Sequence, residues 1–221
     1  MPHPTLQRML GSKDVKKMIH KTFENIHNNQ AKNIDKQNPE KIHANEASRC
    51  TRLAYYERKD PLPSDSNSTI SVLIKDSVRR LFNNIDSEYK VDALSILASA
   101  DMLVDEEFVV KFELVTKLPD TPHPRDLLYL NACLFAFDKT DGILIYTNID
   151  GGTIEFSLTR NNRMFQEIIR RARILSTLLK EERVPIVEPC ELCLTCKYYE
   201  RCYAQERKNS SLGFLGLGIT E

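Results

Sequence analysis

The chain has 221 residues, enough for one large domain or two small ones and for a core that needs no crosslinks. Its 28% charged and 41% hydrophobic residues are ordinary for a globular protein, and 31 Lys plus Arg against 31 Asp plus Glu exclude any argument from net charge about partners. No stretch approaches the roughly 20 apolar residues of a membrane span, and the N-terminus lacks a signal-peptide core. The expectation is therefore a cytoplasmic protein with no membrane contact and reduced cysteines, where clustered thiols favour metal binding or catalysis over disulfides.

In chain order, Val15, Met18, Ile19, Phe23 and Ile26 recur at helical spacing over 13–30, followed by a polar, asparagine-rich linker from Asn28 to Glu40. Residues 1–40 thus read as an N-terminal helical extension and linker. A second helix is expected over 41–58, with Ile42, Ala47, Cys50, Leu53, Ala54 and Tyr56 on a broad inward face. A loop runs from Asp60 to Ser68, and a helix is expected over 70–84. The period then changes. Ala93 to Val104 and Phe108 to Val115 read as strands joined by the acidic turn Asp105-Glu106-Glu107. Arg125 to Phe137 reads as a buried helix, Gly142 to Asn148 and Thr153 to Leu158 as strands, and 161–182 as the clearest amphipathic helix. The order of elements implies a mixed α/β layer fold.

Charge is uneven along this path. Arg160 to Arg183 holds seven basic and three acidic residues, whereas Asp86 to Glu107 holds seven acidic and one basic. The basic helix is either a contact for backbone phosphates or an arginine-lined solvent face.

Four of the six cysteines, Cys190, Cys193, Cys196 and Cys202, lie within thirteen residues. Two thiolates three residues apart can bind one centre from a single turn, and a third can come from the next loop. Cys193, Cys196 and Cys202 give C-x2-C-x5-C. The fourth ligand is either Cys190, which would make a local zinc site, or the distant Cys50, which would allow zinc or an iron–sulfur cluster. Cys133 lies on an apolar helix and reads as a core residue.

Asp101 ends one strand-like run and Glu113 lies on the next. If the two runs are neighbours, both carboxylates can face one pocket and, with waters, hold Mg2+ or Mn2+. On a strand of period two, Lys111, Glu113, Val115 and Lys117 share one side, so a lysine beside Glu113 could neutralise a phosphate.

Together these residues resemble the RecB-like nucleases of the PD-(D/E)XK class, and within them the iron–sulfur members associated with CRISPR adaptation, the Cas-four family. The likeness rests on Cys50, Arg52 and Tyr56 upstream and on Cys193, Cys196 and Cys202 downstream. Between them, in order, stand Asp101, Glu113, Pro122-His123-Pro124, the helix over 125–137 and the strand from Gly142 to Tyr146. It covers about residues 42–205. The family's lysine position holds Val115, with Lys117 or Lys111 as substitutes; Arg79 stands near its histidine, and Tyr129 and Cys133 stand near its Gln and Tyr.

The resemblance implies a restriction-endonuclease-like PD-(D/E)XK core over 41–205, a mixed central sheet flanked by helices and closed by a cysteine-rich metal-binding subdomain. It implies a [4Fe–4S] cluster on Cys50, Cys193, Cys196 and Cys202, with Zn2+ as the alternative. It further implies Mg2+ or Mn2+ at Asp101 and Glu113, Lys117 as the charge-stabilising lysine, and exonuclease or endonuclease action on DNA, single-stranded or at duplex ends. CRISPR adaptation or antiviral defence is the implied setting. The alternatives are a catalytically degenerate DNA-binding scaffold that keeps the cluster, and a zinc-stabilised interaction protein. The tail over 206–221, with apolar residues set among glycines, reads as a peptide that docks on a partner or as a segment that packs on its own domain.

Overall fold

The computed structural model describes residues 37–62, 77 and 85–203. The helix expected over 13–30, most of the linker, the helix over 70–84 apart from Ser77, and the tail lie outside the described residues. Among the described residues no helix is long and apolar enough to cross a membrane.

The continuous helix expected over 41–58 is instead three elements: strand β1 (Lys41–His43), a single-turn helix α1 (Ala44–Ala47) and helix α2 (Thr51–Lys59). Capping explains the first break. His43 is extended, its Nδ1 accepts the Asn45 amide at 3.1 Å, and its own amide donates to Glu46 Oε2 at 2.8 Å. Cys50 is likewise outside the helical region, and it stands at the N-cap of α2 rather than on an inward helical face. Arg58 joins the two helices by donating to both carboxylate oxygens of the buried Glu46, at 2.7 and 2.6 Å.

Four strands follow. Strand β2 (Ile85–Val91) has no counterpart in the sequence reading, and the run expected over 93–104 divides into β3 (Leu94–Ala100) and β4 (Met102–Val104), with β5 at Phe108–Leu114. Helix α3 (Pro124–Ala136), strands β6 (Asp141–Thr147) and β7 (Thr153–Thr159) and helix α4 (Asn162–Lys180) complete the layers. The expected single central sheet is two hydrogen-bonded ladders, ordered β1-β3-β2 and β4-β5-β6-β7, each mixing parallel and antiparallel pairs. They meet at Asp101, which separates β3 from β4 and whose amide still donates to Val110 O at 3.1 Å.

Burial follows the periods of the sequence. On β3, Leu94, Ile96, Ala98 and Ala100 point inward at period two, and Gly142, Leu144 and Tyr146 do so on β6. Helix α3 covers both ladders with Leu130, Ala132, Cys133 and Leu134, all fully buried. Cys133 is thus a core residue, as its apolar setting in the sequence implies. Phe165, Ile168, Ile169, Ala172, Leu175 and Leu179 make the buried stripe of α4. Asn131 and Asn161 lock the two helices together: the Asn131 amide donates to Asn161 O at 2.9 Å, and Asn161 N donates back to Asn131 Oδ1 at 2.8 Å.

Candidate functional site

At the junction of the two ladders Asp101 is buried, 1% exposed, and so is Lys111, 3% exposed. Asp101 Oδ2 accepts from Lys111 Nζ at 2.6 Å and from Phe112 N at 2.8 Å. A carboxylate carried into the interior needs this kind of compensation. Lys111 and Glu113 stand two residues apart on β5, so both face one cavity of about 530 Å³. Asp101 does not reach its wall; Lys111 stands there instead.

The carboxylate that joins Glu113 is Asp126, from the first turn of α3. Parallel pairing sets Glu113 beside Tyr146 of β6. His123 N donates to Tyr146 Oη at 2.9 Å, and Tyr146 Oη donates to Asp126 Oδ2 at 2.8 Å, so the carboxylate is fixed from the sheet side. Burial pushes the Asp126 carboxyl above the usual carboxylate range, and the charge of Glu113 pushes it further. The Tyr146 hydroxyl is also pushed up, first by burial.

Tyr129 forms another part of this wall. Its hydroxyl donates to Ser99 O at 2.8 Å, and Lys111 Nζ lies 5.1 Å from the centre of its ring. The His43 ring stacks on Tyr129 at 5.9 Å, and His43 Nε2 lies 3.2 Å from Ser99 Oγ. Because Nδ1 accepts a backbone N–H, this hydrogen-bonding pattern assigns the proton to Nε2.

Glu113 and Lys111 face the cavity, Asp101 lies buried behind it, and Lys117 lies exposed beyond the end of β5, away from the lining. Val115 packs against the apolar core. Asp126 and His43 were not identified from sequence. Each gains its place only through partners far along the chain, Tyr146 for Asp126 and Ser99 and Tyr129 for His43.

The same cavity is lined by Cys50, Cys190, Cys193, Cys196 and Cys202. Two aromatic rings bring α2 and the cysteine segment together. Tyr56 of α2 stacks on the fully buried Tyr198 at 5.3 Å, and Tyr198 Oη accepts Leu62 N at 3.0 Å. Burial pushes the Cys202 thiol up; Arg52 pulls it the other way, and Cys196, Cys50 and Cys193 each push it further. Cys190 opens a 3-10 turn over Glu191–Thr195, and its Sγ lies 3.7 Å from Cys193 Sγ. Among the described residues no three His, Cys, Asp or Glu side chains converge closely enough to hold one metal ion. A buried donor does point to an absent acceptor: Arg49 Nε, in the same cavity wall, has no hydrogen-bond partner among the described residues.

Three of the four arginines of α4, and Lys180, are engaged with neighbouring acids. Arg170 and Arg171 both bind Glu167, Arg173 binds Asp92 and Lys180 binds Glu40. The hydrogen bond from Arg170 is the main reason the Glu167 carboxyl is pulled down to about 2. This helix is a salt-bridged solvent face.

No family model matches the sequence, and no curated protein matches it. Among solved structures the chain is similar to SSO0001, with a TM-score of 0.52 and 18% identity over 63% of this chain and 76% of that one. It is also similar to the alkaline exonuclease LHK-Exo from Laribacter hongkongensis, with a TM-score of 0.44 and 10% identity over 80% of this chain and 96% of that one. For LHK-Exo in complex with dAMP the values are 0.45 and 11%, over 82% and 99%. With SSO0001 the chain shares a fold; at this identity the likeness extends no further.

Proposed function

We propose that the protein is a divalent-metal-dependent DNA nuclease that hydrolyses phosphodiester bonds in the cavity between β5 and α3. The observation that carries this reading is the meeting of Glu113, Asp126 and Lys111 in one wall, two carboxylates and a buried ammonium drawn from two distant elements. Two carboxylates with waters are a sufficient protein contribution for Mg2+ or Mn2+, and both the burial that chiefly raises the Asp126 carboxyl and the neighbouring Glu113 charge disfavour a bare anion there, a cost that a bound cation offsets. Glu113 and Asp126 would hold it, and when bound it supplies an activated water and offsets phosphate charge. Lys111 takes the role expected of Lys117, placing a positive charge at the cavity wall while it holds Asp101. Tyr146 orients Asp126.

Cys50, Cys193, Cys196 and Cys202 are read as ligands of a [4Fe–4S] cluster of the Cas-four type, with CRISPR adaptation as the setting. Four thiols that line one cavity are the donor set such a cluster needs. When bound, the cluster ties the α2 end of the fold to the C-terminal segment.

Two other readings each have an observation behind them. Asp101 Oδ2 already accepts two hydrogen bonds, which favours a scaffold that binds DNA without cutting it. The 3.7 Å between Cys190 and Cys193 fits one edge of a thiolate tetrahedron, which favours zinc. Anaerobic purification followed by iron and zinc analysis decides the metal; brown, iron-loaded protein is expected. Incubation with labelled single-stranded and duplex DNA and Mn2+ decides the activity. Cleavage lost in Glu113→Ala and Asp126→Asn, with DNA binding retained, is expected, and iron-loaded protein that cuts neither substrate overturns the nuclease reading.

A further inference from the structure

The cavity holds a second set of charged and aromatic groups that the carboxylate site leaves unused. Arg49 Nη2 bonds Glu57 Oε2, and Lys197 Nζ lies 3.5 Å from Glu57 Oε1. Two cations share one carboxylate, so the group keeps a surplus positive charge, and Arg49 Nε still lacks a partner among the described residues. Two residues past Lys197, Tyr199 is 37% exposed, with its ring 4.7 Å from that of Tyr203 and tilted by 40°. Both rings line the cavity. Tyr55, Tyr56 and Tyr198, by contrast, are buried in the core.

Surplus charge alone calls for an anion. A half-exposed aromatic face beside it calls for a flat, stackable partner, and a nucleotide joins the two in one ligand. The cavity volume of about 530 Å³ falls in the usual range for small-molecule sites and so suits one or two nucleotides of a separated strand rather than a duplex. We infer that Arg49, Lys197 and Tyr199 form a nucleotide subsite, in which the guanidinium and ammonium take a backbone phosphate of a DNA strand and the Tyr199 ring stacks on its base. The inference rests on the nuclease reading for the identity of the anion and adds the residues that select a separated strand. Arg49 and Lys197 could equally balance the charge of a thiolate cluster, but such a role gives Tyr199 nothing to do, so the tyrosine is the discriminating residue.

The test is strand binding by the anaerobically purified full chain in chelator, so that no cleavage occurs, followed by anisotropy of a labelled oligothymidine and of a duplex of equal length. Tyr199→Ala should weaken strand binding about tenfold, the order expected for one stacked base, and leave duplex binding unchanged. Tyr199→Phe should retain strand binding. Lys197→Gln should reduce the slope of log affinity against log salt by about 0.7. Circular dichroism and iron content check that each variant is folded and loaded. Strand binding that ignores Tyr199→Ala, or falls equally with duplex binding, overturns the subsite. Should Lys197→Gln move the cluster potential but not the salt slope, counter-charge replaces phosphate binding as its role. Mn2+-dependent cleavage by a protein indifferent to Tyr199 sinks the subsite alone, and Tyr199-dependent binding without cleavage sinks the nuclease reading alone.

Discussion

Lys111 Nζ lies 2.6 Å from Asp101 Oδ2, and both side chains are buried where one ladder passes into the other. Removing one member leaves the other as an uncompensated interior charge. Lys111→Met should therefore cost about 3–5 kcal/mol, and the double change Asp101→Asn with Lys111→Met should recover most of it. Urea denaturation measures both; a single variant within about 1 kcal/mol of the parent would show that the pair is solvated.

Asp126 gives a pH signature in metal-free protein. Its folded-state carboxyl sits above the ordinary value, first through burial and then through Glu113. The native state therefore holds the proton more tightly than the unfolded chain, and stability from this group is full below the unfolded value and falls as pH rises through the folded one. Asp126→Asn removes that penalty and can still accept from Tyr146. The variant should melt a few degrees above the parent at about pH 8 in chelator and show no advantage near pH 4. Mn2+ should raise the melting temperature of the parent more than that of the variant. Equal melting curves at both pH values would remove Asp126 from the site.

Tyr198 links the cysteine segment to α2. Tyr198→Ala should cost about 3–5 kcal/mol and lower the iron content, because the stack on Tyr56 is what holds Cys196 and Cys202 near Cys50. Tyr198→Phe keeps the ring, loses the bond to Leu62 N, and should cost only about 1 kcal/mol with iron retained. Full iron loading in the alanine variant would show that the thiols assemble without this contact.

The salt-bridged face of α4 predicts a small effect. Arg170→Ala breaks an exposed pair with Glu167 worth about 0.2–1 kcal/mol and should change DNA affinity less than about twofold. A tenfold loss in a binding titration would restore this helix as the DNA contact.

Gly142 is a packing requirement. A Cβ there would meet Leu130 Cδ1 and Val109 O at 3.0 Å and Leu134 Cδ2 at 3.1 Å. Gly142→Ala should cost about 1–3 kcal/mol in chemical denaturation; no loss would mean that α3 can lift from β6.

Elements whose two faces differ were legible from pattern. The α4 stripe and the alternation of β3 follow from periods of 3.6 and 2, which burial on one side enforces. Strand β2 was not legible: its half-buried positions are Ser87, Tyr89 and Val91, and two apolar side chains are too few to mark a period. Strand β1 has three residues, too few to show a period.

The sequence by itself determined the thiol spacing, the helices α3 and α4 with strands β5, β6 and β7, and the two short runs that carry Asp101 and Glu113, because each depends on residues within a few positions of one another. Only the tertiary structure decided that Asp101 is bound by Lys111 and that Asp126 stands with Glu113 at the cavity wall. Those pairings join residues from separate elements, and which charges meet there depends on strand register, the docking of α3 and burial, none of which leaves a local mark in the chain.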